Sequence, residues 1–144
     1  MEDKTISLRM YFFVPYNISE IQKGIQAGHA SLRYARKYGA TIEDAWVWDF
    51  VDNHETWIIL NGGTTNNSLD NPGTMQQSYY SIREYNEKFA YSLNKPENMI
   101  NVATFHEPDL NDAMTAICFI ADEKAFNNDD YPFLKDFILK YKIY

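Results

Sequence analysis

The chain of 144 residues is 45% hydrophobic and 16% aromatic, enough to bury about 70% of its unfolded surface, so a single domain over residues 1–144 is expected. Its 13 Lys and Arg stand against 20 Asp and Glu, a net charge of −7 that excludes a broadly basic nucleic-acid surface and confines any RNA contact to local clusters of cations. No run approaches the ~20 apolar residues of a membrane span, the start lacks the pattern of a secretion signal, and the lone Cys118 cannot close an internal disulfide; a cytoplasmic protein without a membrane partner is expected.

The segment "ISLRMYFFV" (6–14) is β-branched and aromatic enough for a strand, which Pro15 ends. Ser19 followed by Gln22 fits a capping box and Gly39 stands where a C′ glycine belongs, which predicts a helix over 20–38. Residues 41–49 read as a short helix or an irregular connection. "ETWIIL" (55–60) is a nearly continuous apolar run, the kind found in strands buried on both faces. Residues 61–73, "NGGTTNNSLDNPG", are too rich in turn formers for regular structure and are placed to act as a lid.

Met75, Tyr79, Ile82, Phe89 and Leu93 recur at helical spacing and predict a helix over 74–93. Strands follow at 99–105 and 114–121, joined by the acidic turn "HEPDLNDA", and Cys118 reads as a small buried hydrophobe within the second. A last helix begins near Pro132 and presents Phe133, Phe137, Ile138 and Tyr141. The order β-α-β-α-β-β-α predicts a three-layer α/β sandwich around a mixed sheet of about four strands, since crossovers give parallel neighbours and hairpins antiparallel ones.

Within the first helix, Gln22, Gln26, His29 and Arg33 share a narrow arc at about 100° per residue, while Ile21, Ile25, Gly28 and Leu32 form a stripe about 100° away. The apolar stripe is expected to face the sheet, with a close backbone approach offsetting the roughly 1 kcal/mol that Gly24 and Gly28 each cost a helix. The polar stripe can donate and accept hydrogen bonds along successive turns, as the wall of a polar cleft would; a satisfied, partly buried set of side chains has the same composition. Lys23, Arg33, Arg36 and Lys37 concentrate positive charge on this helix, and Lys135, Lys140 and Lys142 do so near the C-terminus, although solvated faces look alike.

"KGIQAGHASLRYA" after a first strand resembles the helix of the type-2 peptidyl-tRNA hydrolases, in which a Gly-Lys pair leads to an Ala-Ala-Gln and then a His-Ala sequence. Trp48 ahead of the second strand, the acidic turn after the third and the closing "ILKYKIY" are similar to that family as well. The resemblance implies a mixed four-stranded sheet flanked by helices, a cleft between the first helix and the turn joining the third and fourth strands, and hydrolysis of the ester between peptide and tRNA without a cofactor. The family's Lys, strand-ending Asp, following Thr and strand-opening Thr fall on Gln22, Glu107, Asn111 and Thr115. Lys23 stands one position beyond the family's Lys, about 100° further round the helix. Glu107 and Thr115 are then the implied catalytic residues, with Gln22, Lys23, Gln26, His29, Arg33, His106 and Asn111 as substrate contacts.

Chemistry keeps two functional classes open. Ester hydrolysis needs an activated water and stabilisation of an oxyanion, and replacing the family's cation by Gln22 removes a few kcal/mol of that stabilisation. The alternative is a noncatalytic protein that holds a nucleotide-like small ligand in the same cleft, using aromatic surface for stacking and His29 and Arg33 for ribose or phosphate. His29, His54 and His106 lack metal-ligand spacing and "NGGTTNN" lacks the lysine of a phosphate loop, so neither a metal nor that motif is expected. The 11 tyrosines suit core and interface surface, and a homodimer is consistent with them.

Overall fold

A computed structural model describes residues 8–39, 46–65, 73–88 and 100–122. Its elements are β1 (Leu8–Val14), α1 (Glu20–Tyr38), α2 (Trp46–Asn53), β2 (Trp57–Asn61), α3 (Met75–Asn86), β3 (Ala103–Glu107), a 3-10 turn (Pro108–Leu110) and β4 (Ala113–Asp122). The four strands form one mixed sheet in the order β2-β1-β4-β3. β1 and β2, separated by two helices, pair in parallel, whereas β4 runs antiparallel to both β1 and β3. α1 and α3 cover opposite sides of this sheet. On one side Cys118, opposite Phe12 in the register, lies against α1 with its Sγ 3.7 Å from Ala30 O. Phe13, which alternation turns to the other side, meets Met75 of α3 beside Gly62, where a Cβ would come within 2.8 Å of Phe13 and 2.6 Å of Met75. The architecture is thus an α/β sandwich, with its core along the central strands β1 and β4.

The expected helix 20–38 is α1 itself, and its N-terminal end is set by local chemistry. Ser19 is extended, with ψ 160°, and its side chain accepts the Gln22 N–H. Gly39 departs from the expected C′ geometry: its φ of −73° is right-handed, and its carbonyl instead accepts the indole N–H of Trp48 at 2.7 Å. The connection expected at 41–49 contains the start of α2, which continues to Asn53. The expected helix over 74–93 is α3 as far as Asn86, capped by Thr74, whose side chain accepts the Gln77 N–H.

Two expectations about packing are corrected. β2 lies at the edge of the sheet rather than buried on both faces: Leu60 is buried, but Ile58 and Ile59 are only partly so and Trp57 is 43% exposed. An unbroken apolar run marks a strand without saying whether a neighbour covers each side. The second correction concerns α1, whose Ile21 and Leu32 are 76% and 71% exposed. The face against the sheet is Gln26, Ala27, Ala30, Tyr34 and Tyr38, with Lys23 buried at its edge. Small alanines let the helix sit close over β3 and β4, and the tyrosines fill the space beyond them.

The helix glycines therefore have another environment than expected. Among the described residues nothing lies within 4 Å of the Cβ position at Gly24 or Gly28. Gly24→Ala and Gly28→Ala are expected to stabilise the fold by about 0.5–1 kcal/mol each in urea titrations, since alanine loses less chain entropy and meets no obstacle. Destabilisation by either substitution would show a contact that the helix as described lacks.

Among the described residues no helix is long and apolar enough to cross a membrane. The expected last helix with Phe133, Phe137, Ile138 and Tyr141, the group Lys135, Lys140 and Lys142, the positions Phe89 and Leu93, and most of the expected lid lie outside the described residues.

Candidate cleft between the first helix and the hairpin turn

The cleft begins with a departure from regular pairing. In the β3–β4 ladder Phe105 lies opposite Ala116 while its neighbour His106 lies opposite Met114, so Thr115 is the extra residue of a β-bulge. A bulge re-aims the inserted side chain, and here it sends the Thr115 hydroxyl toward α1. On β3, Phe105 and Glu107 share the face turned to α1 because alternate residues of a strand point the same way. Pro108 starts a 3-10 turn, and Asn111 and Asp112 take the left-handed φ values of 54° and 58° that reverse the chain into β4. The Asp112 N–H closes that turn on Glu107 O at 3.0 Å.

Gln26 joins the two elements. Its Oε1 accepts the Thr115 hydroxyl at 2.5 Å, and its Nε2 donates to Glu107 Oε2 at 2.9 Å and to Gln22 Oε1 at 3.2 Å. With both amide atoms engaged, Gln26 acts as a brace that orients the carboxylate. The other Glu107 oxygen accepts the Asp109 N–H at 3.3 Å, so this carboxylate also caps the turn. Donation from the Gln26 amide, followed by that from the Asp109 N–H, holds the Glu107 pKa below the usual carboxylate value; partial desolvation opposes them and nearby His29 assists. Glu107 is therefore ionised at neutral pH.

These side chains line a cavity of about 530 Å³. Ser19, Gln22, His29, Glu107 and Asp109 supply its polar wall, with the buried Gln26 and Thr115 behind them, and Ile18, Ile25 and Leu110 its apolar wall. The His29 ring stacks on Phe105 with centroids 4.4 Å apart and planes 18° from parallel, which fixes its orientation at the rim. Among the described residues the cavity has two carboxylates and neither Lys nor Arg on its wall.

The expected site residues divide accordingly. Gln22, Gln26, His29, Glu107 and Thr115 come together around the cavity. Lys23 turns aside to pair with Glu20, Nζ to Oε1 at 2.6 Å. Arg33 lies beyond the cavity, its guanidinium carbon 5.9 Å from the centre of the Phe105 ring. His106 donates from Nδ1 to Asp112 O at 3.0 Å, and Asn111 ends the 3-10 turn; neither lines the cavity. Asp109 and Leu110 of the acidic turn do line it, although neither was among the expected site residues. Phe105 could have been found from its position two residues before Glu107 on one strand face.

Among the described residues, no group of His, Cys, Asp and Glu side chains is arranged to hold a metal ion. Cys118 is fully buried, and burial pushes its thiol pKa well up, which disfavours the reactive thiolate. Searched against models of known protein families the chain matches none, and no curated protein matches it either.

Proposed function

We propose that the cleft binds the nucleoside part of a small polar ligand and that the protein is a binding protein rather than a hydrolase. The observation that carries this reading is the braced, ionised Glu107 in a half-apolar cavity of about 530 Å³ with neither Lys nor Arg on its described wall. Such a carboxylate accepts hydrogen bonds from a neutral ligand's hydroxyl or amino groups, as a ribose diol or an exocyclic amine would supply, and repels an anion placed directly against it. Ile18, Ile25 and Leu110 suit the flat, weakly polar surface of a base, and the His29 rim can stack on it. A thermal-shift and NMR titration with adenosine, guanosine, cytidine and uridine tests this. A ligand present at 100 times its Kd adds about 2.7 kcal/mol of stability, so at least one is expected to raise the melting temperature. The reading is lost if none does at millimolar concentration.

A hydrolase of the type-2 peptidyl-tRNA hydrolase kind is the second reading, supported by the mixed four-stranded sheet, the placement of the cleft and the linkage of Glu107 to Thr115 through Gln26. Glu107 would take a proton from water as the water oxygen attacks the ester carbonyl, and would return it to the ribose oxygen as the ester C–O bond breaks, releasing the peptide acid and the tRNA hydroxyl. The lowered pKa makes Glu107 a weak base, and Lys23 is held by Glu20 outside the cavity, which is why binding is placed first. Release of peptide from peptidyl-tRNA at a rate that Glu107→Gln abolishes would reverse this order.

A further inference from the structure

We infer that a second, basic depression beside the cleft holds the phosphate of its ligand, so that the ligand is a ribonucleoside 5′-phosphate; this rests on the nucleoside reading of the cleft. The depression has a volume of about 270 Å³ and is lined by Arg33, Arg36 and Lys37 of α1, Tyr79 of α3 and Thr104 of β3. In a chain with 13 basic and 20 acidic residues, this grouping of cations is selective. Among the described residues none of these three side chains pairs with a carboxylate; the ion pairs found are Lys23 with Glu20, His54 with Asp49 and Lys88 with Glu84. Lys37 is anchored instead by donating to Val102 O at 3.3 Å and by lying 5.1 Å from the centre of the Tyr38 ring.

The depression and the cleft are joined by one side chain. Phe105 carries the His29 ring on the cleft side and the Arg33 guanidinium toward the depression. At about 1.5 Å per helical residue, Arg33 lies about 6 Å and Lys37 about 12 Å along α1 from His29, the reach of one or two phosphate groups beyond a nucleoside. The charge is divided to match. Carboxylates face the neutral, donor-rich part of such a ligand, and two guanidinium groups and an ammonium face the anionic part, for which the planar Arg fork is well shaped.

The test compares dissociation constants for each of the four ribonucleosides with those for its 5′-monophosphate and 5′-diphosphate, in the parent protein and in Arg36→Ala combined with Lys37→Ala. Arg36 and Lys37 are exposed, and an unchanged circular dichroism spectrum shows that the variant is folded. The phosphorylated form of the preferred nucleoside is expected to bind the parent at least about tenfold tighter, with that advantage shrinking as salt rises, and the ratio is expected to fall toward one in the double variant. Equal binding of nucleoside and nucleotide to the parent overturns the phosphate assignment and leaves the cleft reading standing. An advantage that survives in the double variant overturns it too, because the phosphate then lies elsewhere. Absence of binding by every member of the panel overturns both.

Discussion

Gln26→Leu is expected to lower the stability of the fold by about 2 kcal/mol, a large effect for one neutral substitution. Gln26 is 3% exposed and Thr115 is fully buried, so leucine removes the acceptor of a hydroxyl that water does not reach. The hydroxyl has only a weak substitute, Phe105 O at 3.5 Å. Thr115→Val on the Gln26→Leu background is expected to restore about 1 kcal/mol, because a pair of apolar groups leaves no stranded polar atom. Urea denaturation of the four proteins of this cycle gives the coupling directly. Additive costs would show that Gln26 and Thr115 do not form one unit, and the brace on Glu107 would lose its anchor.

The second large effect concerns Glu107. Glu107→Gln is expected to weaken binding of the preferred nucleoside about tenfold to a hundredfold, because a neutral amide accepts more weakly than an ionised carboxylate. The same residue makes stability depend on pH in a definite sense. Its folded pKa lies below the unfolded one, so the unfolded state binds the proton more readily; the stabilisation is present in full above the unfolded pKa and is lost as pH falls through the folded one. Between pH 7 and acid the parent should therefore lose stability more steeply than Glu107→Gln. The side-chain carboxyl carbon of Glu107 should titrate by NMR below the ordinary glutamate range, and a midpoint at or above that range would contradict the bonding described for Gln26.

The parts of this arrangement differ in how far the amino-acid order reveals them. The start of α1 was readable because Ser19 and Gln22 act within its first turn, and the polar arc of Gln22, Gln26 and His29 follows from helix geometry alone; Gly39 marked the end without taking the left-handed geometry expected of it. Which stripe of α1 meets the sheet was not readable. Ile21, Ile25 and Leu32 outweigh Gln26 and Lys23 on any apolar scale, but Gln26 is buried by partners 81 and 89 residues away. Glu107 was singled out by the family resemblance and was expected in the turn after a strand over 99–105, whereas β3 runs Ala103–Glu107; the facing of Thr115 depends on a pairing irregularity that no local pattern records. Hydrophobic periodicity likewise could not separate the edge strand β2 from the central β1.

The inserted residue in β4 has a consequence for how the domain can diversify. A regular hairpin ties every side chain along its length to a single alternation, so a change at the tip propagates as a constraint on the interior. Here Thr115 shifts the phase once, leaving Ala113 and Met114 to answer to the tip while Ala116, Cys118 and Ile120 keep step with the interior. The cleft-lining end can thus be re-tailored in sequence without resetting the register that holds the strands together.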